Sequence, residues 1–173
     1  MENINAIILA AGEGTRMKSR LPKVLHEVMG KTMVKRVVDT AKELGAENIC
    51  VVTGHKAEEV QESLRGENVE FALQKEQLGT GHAVMQAERF IDDSKDVLIL
   101  YGDTPLISAD TLKRLVEYHR NENNGVSIIS AVVENSEGYG HIIRNKSGAF
   151  VKNVEYKDAT DEEKLVKEIN SGI

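Results

Sequence analysis

Residues 9–17 combine small side chains with positive charge directly after a short apolar run. Alanine and glycine at positions 10, 11, 12 and 14 would let backbone N–H groups approach a phosphate or a base closely. Arg16, together with Lys23, supplies the charge that a triphosphate requires. We therefore interpret this segment as a binding loop for a small polyanion. For the two glycines alone, a structural turn after a strand is the alternative.

The spacing of this loop differs from those of the two commonest glycine-rich phosphate loops. A Walker A loop requires Gly-Lys-Ser/Thr after four intervening residues, which is absent here. A dinucleotide fingerprint requires a glycine where Met17 stands. An NAD-dependent dehydrogenase is therefore disfavoured, and NADH binding would be its test.

Asp103 follows the apolar residues 97–101, with Gly102 between them to allow a sharp turn. Mg²⁺ commonly uses one or two carboxylates together with substrate phosphates, so a single aspartate at the end of a strand suffices as one protein ligand. The sequence predicts this role for Asp103. A cap of the turn before Pro105 is the alternative.

Gln74 and the turn at residues 79–81 follow another predicted strand. An amide side chain offers both a donor and an acceptor, which suits the edge of a pyrimidine, and glycines let backbone groups reach that edge. These residues are predicted to contact a base, with an ordinary polar loop as the alternative.

The elements that position these loops alternate along the chain. Apolar runs followed by polar or glycine-rich turns predict strands, and apolar residues at helical spacing predict helices. This order predicts an α/β fold with a mixed, mainly parallel sheet and helices on both faces, followed by an antiparallel hairpin. The predicted strands are 4–9, 48–53, 69–73, 97–101 and 126–133. The predicted helices are 33–44, 57–64, 110–118, and 83–90 with Thr80 as its cap. The predicted hairpin pairs 142–144 with 150–156, and Thr160 and Glu163 are predicted to form a capping box.

Composition restricts the class of protein further. The net charge of −6 argues against nucleic-acid or anionic-membrane binding by the surface as a whole, whereas residues 12–23 carry four basic residues against one acidic residue. No apolar run reaches the roughly 18 residues of a membrane helix, and no signal peptide is evident, so we expect a cytoplasmic protein. Cys50, the only cysteine, lies in an apolar run and is expected in the core, and the five scattered histidines make a zinc site improbable.

Five motifs together resemble the bacterial bifunctional N-acetylglucosamine-1-phosphate uridylyltransferase/glucosamine-1-phosphate acetyltransferase family. The resemblance covers nearly the whole chain, and the motif at 9–17 by itself indicates only a sugar nucleotidyltransferase. The blocks at 77–83 and 155–162 point to this particular family. The motifs are 9–17 with Pro22 and Lys23, Gln74 with 77–83, 101–106, 138–140, and 154–162.

The resemblance implies a Rossmann-like nucleotide-diphospho-sugar transferase fold and a Mg²⁺-dependent transfer of a uridylyl group from UTP to N-acetylglucosamine 1-phosphate, for cell-wall precursor synthesis. It assigns Arg16 and Lys23 to the phosphates and Asp103 to Mg²⁺. The remaining nucleotide contacts that it implies are Leu9, Ala10, Ala11, Gly12, Gln74, Gly79 and Thr80, and the sugar contacts are Gly140, Glu155 and Asn170. Tyr101 and Gly102 are also implied to bind substrate.

The family's members continue with an asparagine that binds the metal and a left-handed β-helix domain for acetyl transfer from acetyl-CoA, and they form homotrimers. The chain stops at residues 170–173, directly after an incipient strand, so we expect an incomplete, truncated uridylyltransferase domain. His141 occupies a position where relatives often carry arginine. Another sugar-1-phosphate nucleotidyltransferase, or a nucleotide-binding fragment without turnover, remains the alternative.

Overall fold

A four-stranded parallel sheet organises the first of two units, residues 1–116 and 117–173, in a computed structural model that describes residues 2–14, 17–92 and 94–173. Strand β1 (Ile4–Ala10) lies in the middle and is buried along almost its whole length. Its residues are therefore mostly apolar on both faces, as is typical of a central parallel strand. The strand order is β5-β4-β1-β6, with β4 at Asn48–Thr53, β5 at Glu70–Leu73 and β6 at Asp96–Tyr101.

Helix α1 (Met33–Leu44) confirms the prediction from helical spacing at both ends. Its six apolar residues are buried, and the helix packs against β1. Thr32 caps the N-terminus, where its hydroxyl accepts a hydrogen bond from the Lys35 N–H, and Gly45 ends the helix in the left-handed conformation at φ 90°.

Two further helices follow strands β4 and β5. Helix α2 (Ala57–Ser63) agrees with the prediction to within one residue. Helix α3 (Thr80–Met85) begins earlier and is shorter than predicted, and a separate 3₁₀ turn follows at Glu88–Phe90. The predicted cap at Thr80 is wrong, because Gly79 occupies the N-cap position at φ 103° and Thr80 is already the first helical residue.

The connection from β1 to α1 contains a 3₁₀ turn at Lys23–Leu25 and a short hairpin of β2 (Glu27–Val28) and β3 (Lys31–Thr32). Val24 and Leu25 are buried, so they anchor the turn from which Lys23 projects. The position of Lys23 is thus set by the two apolar residues that follow it.

The second unit is built on an antiparallel sheet of strand order β7-β10-β8-β9. Strands β8 (His141–Arg144) and β9 (Phe150–Val154) form the predicted hairpin. The predicted strand at 126–133 is shorter, since only β7 (Ser130–Val132) pairs with β10 (Glu168–Asn170). Helix α4 (Ala109–Asn121) precedes this sheet, and the division between the two units falls within it.

Two local predictions are confirmed by contacts. The Thr160 N–H donates to Glu163 Oε2 at 2.9 Å and the Glu163 N–H donates to Thr160 Oγ1 at 3.3 Å, which is the reciprocal pair of a capping box, before a 3₁₀ turn at Glu163–Leu165. Cys50 is 3% exposed and lies in the core of the first unit.

Within the described ranges, no helix is both long and apolar enough to cross a membrane.

Candidate active site

The carboxyl ends of the four parallel strands meet at one edge of the sheet. Leu9 pairs with Tyr101, and Ala10 pairs with Thr53, which in turn pairs with Leu73. The four loops that follow these strands therefore begin side by side. Ligands of open parallel sheets bind at this edge.

Backbone hydrogen bonds carry this alignment one residue beyond the strand ends. The Gly102 N–H donates to the Leu9 carbonyl at 2.9 Å, and the Gln74 N–H donates to the Thr53 carbonyl at 2.7 Å. The starts of the loops at 74 and 102 are thus fixed by the sheet itself, which gives the side chains beyond them defined positions.

Lys23 and Asp103 meet at this edge. Lys23 Nζ lies 2.5 Å from Asp103 Oδ2, and the two side chains are 41% and 25% exposed. Both charges thus remain within reach of a ligand from solvent. The predicted metal ligand and the predicted phosphate contact are therefore neighbours in space, although 79 other residues separate them in the chain.

Gly102 favours close packing at this position. A Cβ atom at this position would lie 3.1 Å from the Leu9 carbonyl oxygen and 3.3 Å from Val24 Cγ1, and its φ is not positive. The predicted turn is present, since the Thr104 N–H donates to the Tyr101 carbonyl at 3.2 Å, and close packing is a second reason for glycine here. The absence of a side chain lets the β6 loop lie against β1, which brings Asp103 to the edge.

The two glycines of the loop at residues 9–17, called the basic loop from here on, differ in their surroundings. Gly14 has φ +65°, and a Cβ there would lie 2.6 Å from Lys23 Cβ, so this glycine permits the close approach of Lys23. Gly12 has no described atom within 4 Å of such a Cβ. The space beside Gly12 is the kind of opening that a phosphate or a base would occupy. Arg16 and Thr15 lie outside the described residues, so the predicted phosphate contact of Arg16 stays a prediction.

Gln74 and the residues around it form a connected group after β5. Gln74 is 3% exposed, and its Nε2 donates to the Gly79 carbonyl at 3.1 Å and lies 3.1 Å from His82 Nδ1. The Tyr101 hydroxyl lies 3.5 Å from Thr80 Oγ1, so the end of β6 approaches the start of α3. The predicted base contacts Gln74, Gly79 and Thr80 are thus brought together with Tyr101.

Sequence reasoning did not assign roles to three residues of this edge. His82 contacts Gln74, as described above, and Gly54 lies so close to the basic loop that a Cβ there would be 2.9 Å from Ala11 O and from Gln77 Nε2. The His55 N–H also donates to the Ala11 carbonyl at 3.1 Å. The signal for Gly54 was its place directly after β4, in the pattern already used for the other strands.

The predicted sugar contacts of the second unit also lie together. The Asn170 N–H donates to the Gly140 carbonyl at 2.8 Å, and a Cβ on Gly140 would lie 3.3 Å from Glu155 Oε1. Asn153 joins them, because the same Cβ would lie 2.8 Å from Asn153 Oδ1. The sequence signal for Asn153 is its position two residues before Glu155, which alternation along a strand places on the same face.

His141 is a core residue of the second unit. It is fully buried, its Nδ1–H donates to the Val166 carbonyl at 3.0 Å, and its ring centroid lies 5.8 Å from that of Tyr156. In the described part of the chain, Nε2 of this ring is one of two buried side-chain atoms without a hydrogen-bond partner. These contacts show that the His141 side chain packs in the interior, next in sequence to Gly140.

The chemistry available at the sheet edge is charge neutralisation and alignment. The described ranges contain no cluster of three or more histidine, cysteine, aspartate or glutamate side chains that could hold a metal by themselves. The carboxylate of Asp103 and the ammonium group of Lys23 instead suit a charged, phosphorylated ligand.

A parallel sheet with glycine-rich and charged loops at the carboxyl ends of its strands is typical of a nucleotide-binding protein, and the family that the chain matches defines its class as a nucleotidyltransferase. Residues 6–167 match the family model of the MobA-like NTP transferase domain. The chain belongs to this family.

Bifunctional GlmU proteins are similar along the whole chain. The chain is 58% identical over 173 residues to the GlmU protein of Caldanaerobacter subterraneus subsp. tengcongensis, covering 100% of this chain and 38% of that protein. With the GlmU protein of Clostridioides difficile the identity is 52% over 171 residues, covering 99% and 37%. The chain thus spans about 38% of the length of the curated relatives that it matches.

Solved structures agree with the fold. A protein of Bacillus anthracis assigned as a glucose-1-phosphate thymidylyltransferase superposes with a TM-score of 0.81 at 23% identity, covering 98% of this chain and 69% of that chain. A nucleotidyl transferase from Methanothermobacter superposes with a TM-score of 0.60 at 24% identity, covering 83% and 66%. At these identities the likeness establishes the fold alone.

Proposed function

We propose that this chain transfers a uridylyl group from UTP to N-acetylglucosamine 1-phosphate, which yields UDP-N-acetylglucosamine and pyrophosphate. The observation that carries the proposal is the convergence of the basic loop, Gln74, Lys23 and Asp103 at one sheet edge of a nucleotidyltransferase. Similarity to GlmU proteins over the whole chain supports the particular substrates. Acetyl transfer and trimer formation, which the resemblance implies for longer proteins, stay predictions about those proteins, as does the cytoplasmic location.

The nucleotide is assigned to the first unit. Ala10, Ala11 and Gly12 would contact the nucleotide through their backbone, where the opening beside Gly12 leaves room for it. Lys23 would neutralise a phosphate oxygen, and Gln74 would meet the edge of the base. Arg16 remains the second proposed phosphate contact.

Mg²⁺ fits the donor set at this edge. Asp103 offers one carboxylate, and Mg²⁺ commonly takes one or two carboxylates and completes its coordination with waters and substrate phosphates. A bound Mg²⁺ would supply charge for the phosphates of the nucleotide. The same carboxylate pairs with the Lys23 ammonium, which places Lys23 where it can also reach the phosphates of a nucleotide bound at this edge.

The reaction needs alignment rather than an activated nucleophile. An oxygen of the sugar phosphate forms a bond to the α-phosphorus of UTP, the bond to the bridging oxygen of the β-phosphate breaks, and pyrophosphate leaves. Because a phosphate monoester has a second pKa of about 6, this nucleophile is largely ionised at neutral pH and requires no general base. Lys23 contributes by reducing the repulsion between the phosphates.

The sugar is assigned to the second unit. Gly140, Asn153, Glu155 and Asn170 provide amide, carboxylate and backbone groups that can bind the hydroxyl and acetamido groups of N-acetylglucosamine. Asn153 is added here to the three residues that the resemblance implies, because its amide lies beside Gly140.

The test is pyrophosphate release from UTP and N-acetylglucosamine 1-phosphate, with and without Mg²⁺, with the Caldanaerobacter GlmU protein as the control. Parallel reactions with dTTP, CTP and GTP, and with glucose 1-phosphate, measure the base and sugar selectivity. We expect Mg²⁺-dependent release that is fastest with UTP and N-acetylglucosamine 1-phosphate. Faster release with another base or sugar would identify a different sugar nucleotidyltransferase, and UTP binding without release would identify a nucleotide-binding module.

A further inference from the structure

The orientation of the Gln74 amide is set by its neighbours. The atom that lies 3.1 Å from the Gly79 carbonyl must be the amide nitrogen, because a carbonyl oxygen can only accept a hydrogen bond. The same nitrogen lies 3.1 Å from His82 Nδ1. Its two hydrogens are therefore both used, one by Gly79 and one by His82.

This contact links the tautomer of His82 to Gln74. If Nδ1 accepts from Gln74, the neutral ring carries its hydrogen on Nε2. Gln86 competes for the ring, since its Nε2 lies 3.2 Å from His82 Nε2 and donates to the His82 carbonyl at 3.1 Å. A neutral imidazole has one acceptor, so it can accept from only one of these two amides.

Burial decides this competition in favour of Gln74. Gln74 is 3% exposed, and an unsatisfied buried amide hydrogen is costly. Gln86 is half-buried and, with His82, lines an open pocket of about 320 Å³, so water can satisfy its amide. His82 Nδ1 is therefore the acceptor for Gln74.

The consequence for a ligand follows from the chemistry of the amide. With both hydrogens used, Gln74 has only Oε1 left for a base, and Oε1 can only accept a hydrogen bond. Uracil and thymine offer an N–H at ring position 3, whereas cytosine has a lone pair there. An acceptor at this place favours the first two bases and opposes cytosine.

We propose that His82 is a positioning residue that selects the base by holding the Gln74 amide with its oxygen toward the nucleotide. The inference rests on the proposed function, in which Gln74 contacts the base. In this role, His82 discriminates uracil and thymine, which carry an N–H at ring position 3, from cytosine, which does not. Discrimination between uracil and thymine depends on other contacts.

The test is the affinity of MgUTP and MgCTP, measured by calorimetry, for the wild-type protein and three variants. We expect His82→Leu to reduce the preference for UTP over CTP by about tenfold, the value of one hydrogen bond, since the amide is then free to rotate. His82→Asn should retain the preference, because an asparagine oxygen can accept from Gln74 in place of Nδ1. Gln86→Leu is the matched control and should also retain it, and thermal denaturation verifies that each variant is folded.

A second measurement does not depend on nucleotide. Nitrogen-15 NMR of the ligand-free protein at neutral pH should show a hydrogen on His82 Nε2 and none on Nδ1. The opposite tautomer, an unchanged preference in His82→Leu, or equal affinity of the wild-type protein for UTP and CTP would each overturn the inference. Selective UTP binding that His82→Leu weakens, without pyrophosphate release, would support the role of His82 and refute the proposed reaction.

Discussion

Lys23 Nζ lies 2.5 Å from Asp103 Oδ2, and this ion pair joins the loop after β1 to the loop after β6. Both side chains remain partly exposed, at 41% and 25%, so a solvent-screened pair of this kind adds little to stability. The pair instead places a cation and an anion side by side at the edge of the sheet where the nucleotide is proposed to bind. Its main effect is thus expected on turnover.

Asp103→Asn is expected to lower kcat by about 100-fold, because an amide is a poor substitute for a carboxylate facing Mg²⁺ and phosphate charge. The denaturation midpoint should stay near that of the wild-type protein. Pyrophosphate release over a Mg²⁺ titration measures the effect, and Asp110→Asn, which changes a side chain that is 77% exposed, is the control. Normal turnover with an unchanged Mg²⁺ dependence would show that Asp103 has no such role.

Gly14→Ala is expected to reduce both stability and UTP affinity. Alanine at φ +65° costs about 1–2 kcal/mol, and its Cβ would lie 2.6 Å from Lys23 Cβ, which forces Lys23 to move. Urea denaturation and UTP binding by calorimetry measure the two effects.

Gly12→Ala is the matched comparison in the same loop. No described atom lies within 4 Å of the added Cβ, so the free energy of unfolding should stay within about 0.5 kcal/mol of the wild-type value. UTP affinity should nevertheless fall, because the methyl group occupies space assigned to the nucleotide. Unchanged UTP affinity would place the nucleotide elsewhere.

Gly140→Ala is expected to raise the KM for N-acetylglucosamine 1-phosphate while the affinity for UTP is unchanged. The new Cβ would lie 2.8 Å from Asn153 Oδ1 and 3.3 Å from Glu155 Oε1, which displaces groups assigned to the sugar. Initial rates at varied sugar phosphate, with UTP binding measured separately, test this split. Gly125→Ala, where no described atom lies within 4 Å, should leave both constants at their wild-type values.

Glu168→Gln is expected to lower stability by about 1 kcal/mol at neutral pH, after allowance for solvent screening. Two hydrogen bonds of 2.7 Å from Arg144, and one from Ser130, lower the pKa of Glu168 to about 2. Because this folded pKa lies below the ordinary value of 4.5, the stabilisation is complete above pH 4.5 and is lost as the pH falls toward 2.

Urea denaturation at several pH values measures this difference between the wild-type protein and Glu168→Gln. The two proteins should converge as the pH falls from 4.5 toward 2, and Glu137→Gln, at an exposed site, is the control at neutral pH and should be as stable as the wild-type protein. A difference that does not change with pH would show that ionisation of Glu168 is not the cause.

Cys50 is expected to resist modification in the folded protein. Burial, aided by the charge of Glu70, raises the pKa of its thiol to about 11, so almost no thiolate exists at pH 8. A chromogenic disulfide reagent should react with one thiol per chain in urea and with none under native conditions. Rapid reaction of the native protein would contradict the burial of this residue.

Elements set by local rules were predicted closely. Helix α1 matches its predicted bounds because the apolar spacing that predicts it and the glycine that ends it, Gly45, both lie in its own segment. Strand β4 matches its predicted bounds because it contains an unbroken apolar run. The capping box at Thr160 belongs to the same group, since it depends on its immediate neighbours in the chain.

Elements that depend on partners were predicted less well. The apolar run at 126–133 has the composition of a strand, but only Ser130–Val132 pairs with β10, while Ile129 exchanges hydrogen bonds with Ser171 and Ile173 instead. The start of α3 moved to Thr80 because Gly79, at φ 103°, takes the cap position. Strand pairing depends on segments that are distant in the chain. The backbone conformation of a glycine is also not given by the spacing of apolar residues.

The candidate site shows the same division. The sequence alone determined which residue types follow the parallel strands, and the resemblance assigned them to nucleotide and sugar. Only the tertiary structure decided that Lys23 contacts Asp103, that Gly102 serves a close approach to Leu9, and that His82 holds Gln74. The physical reason is that strand order and register set which loops become neighbours, and contacts between side chains far apart in the chain follow from that order.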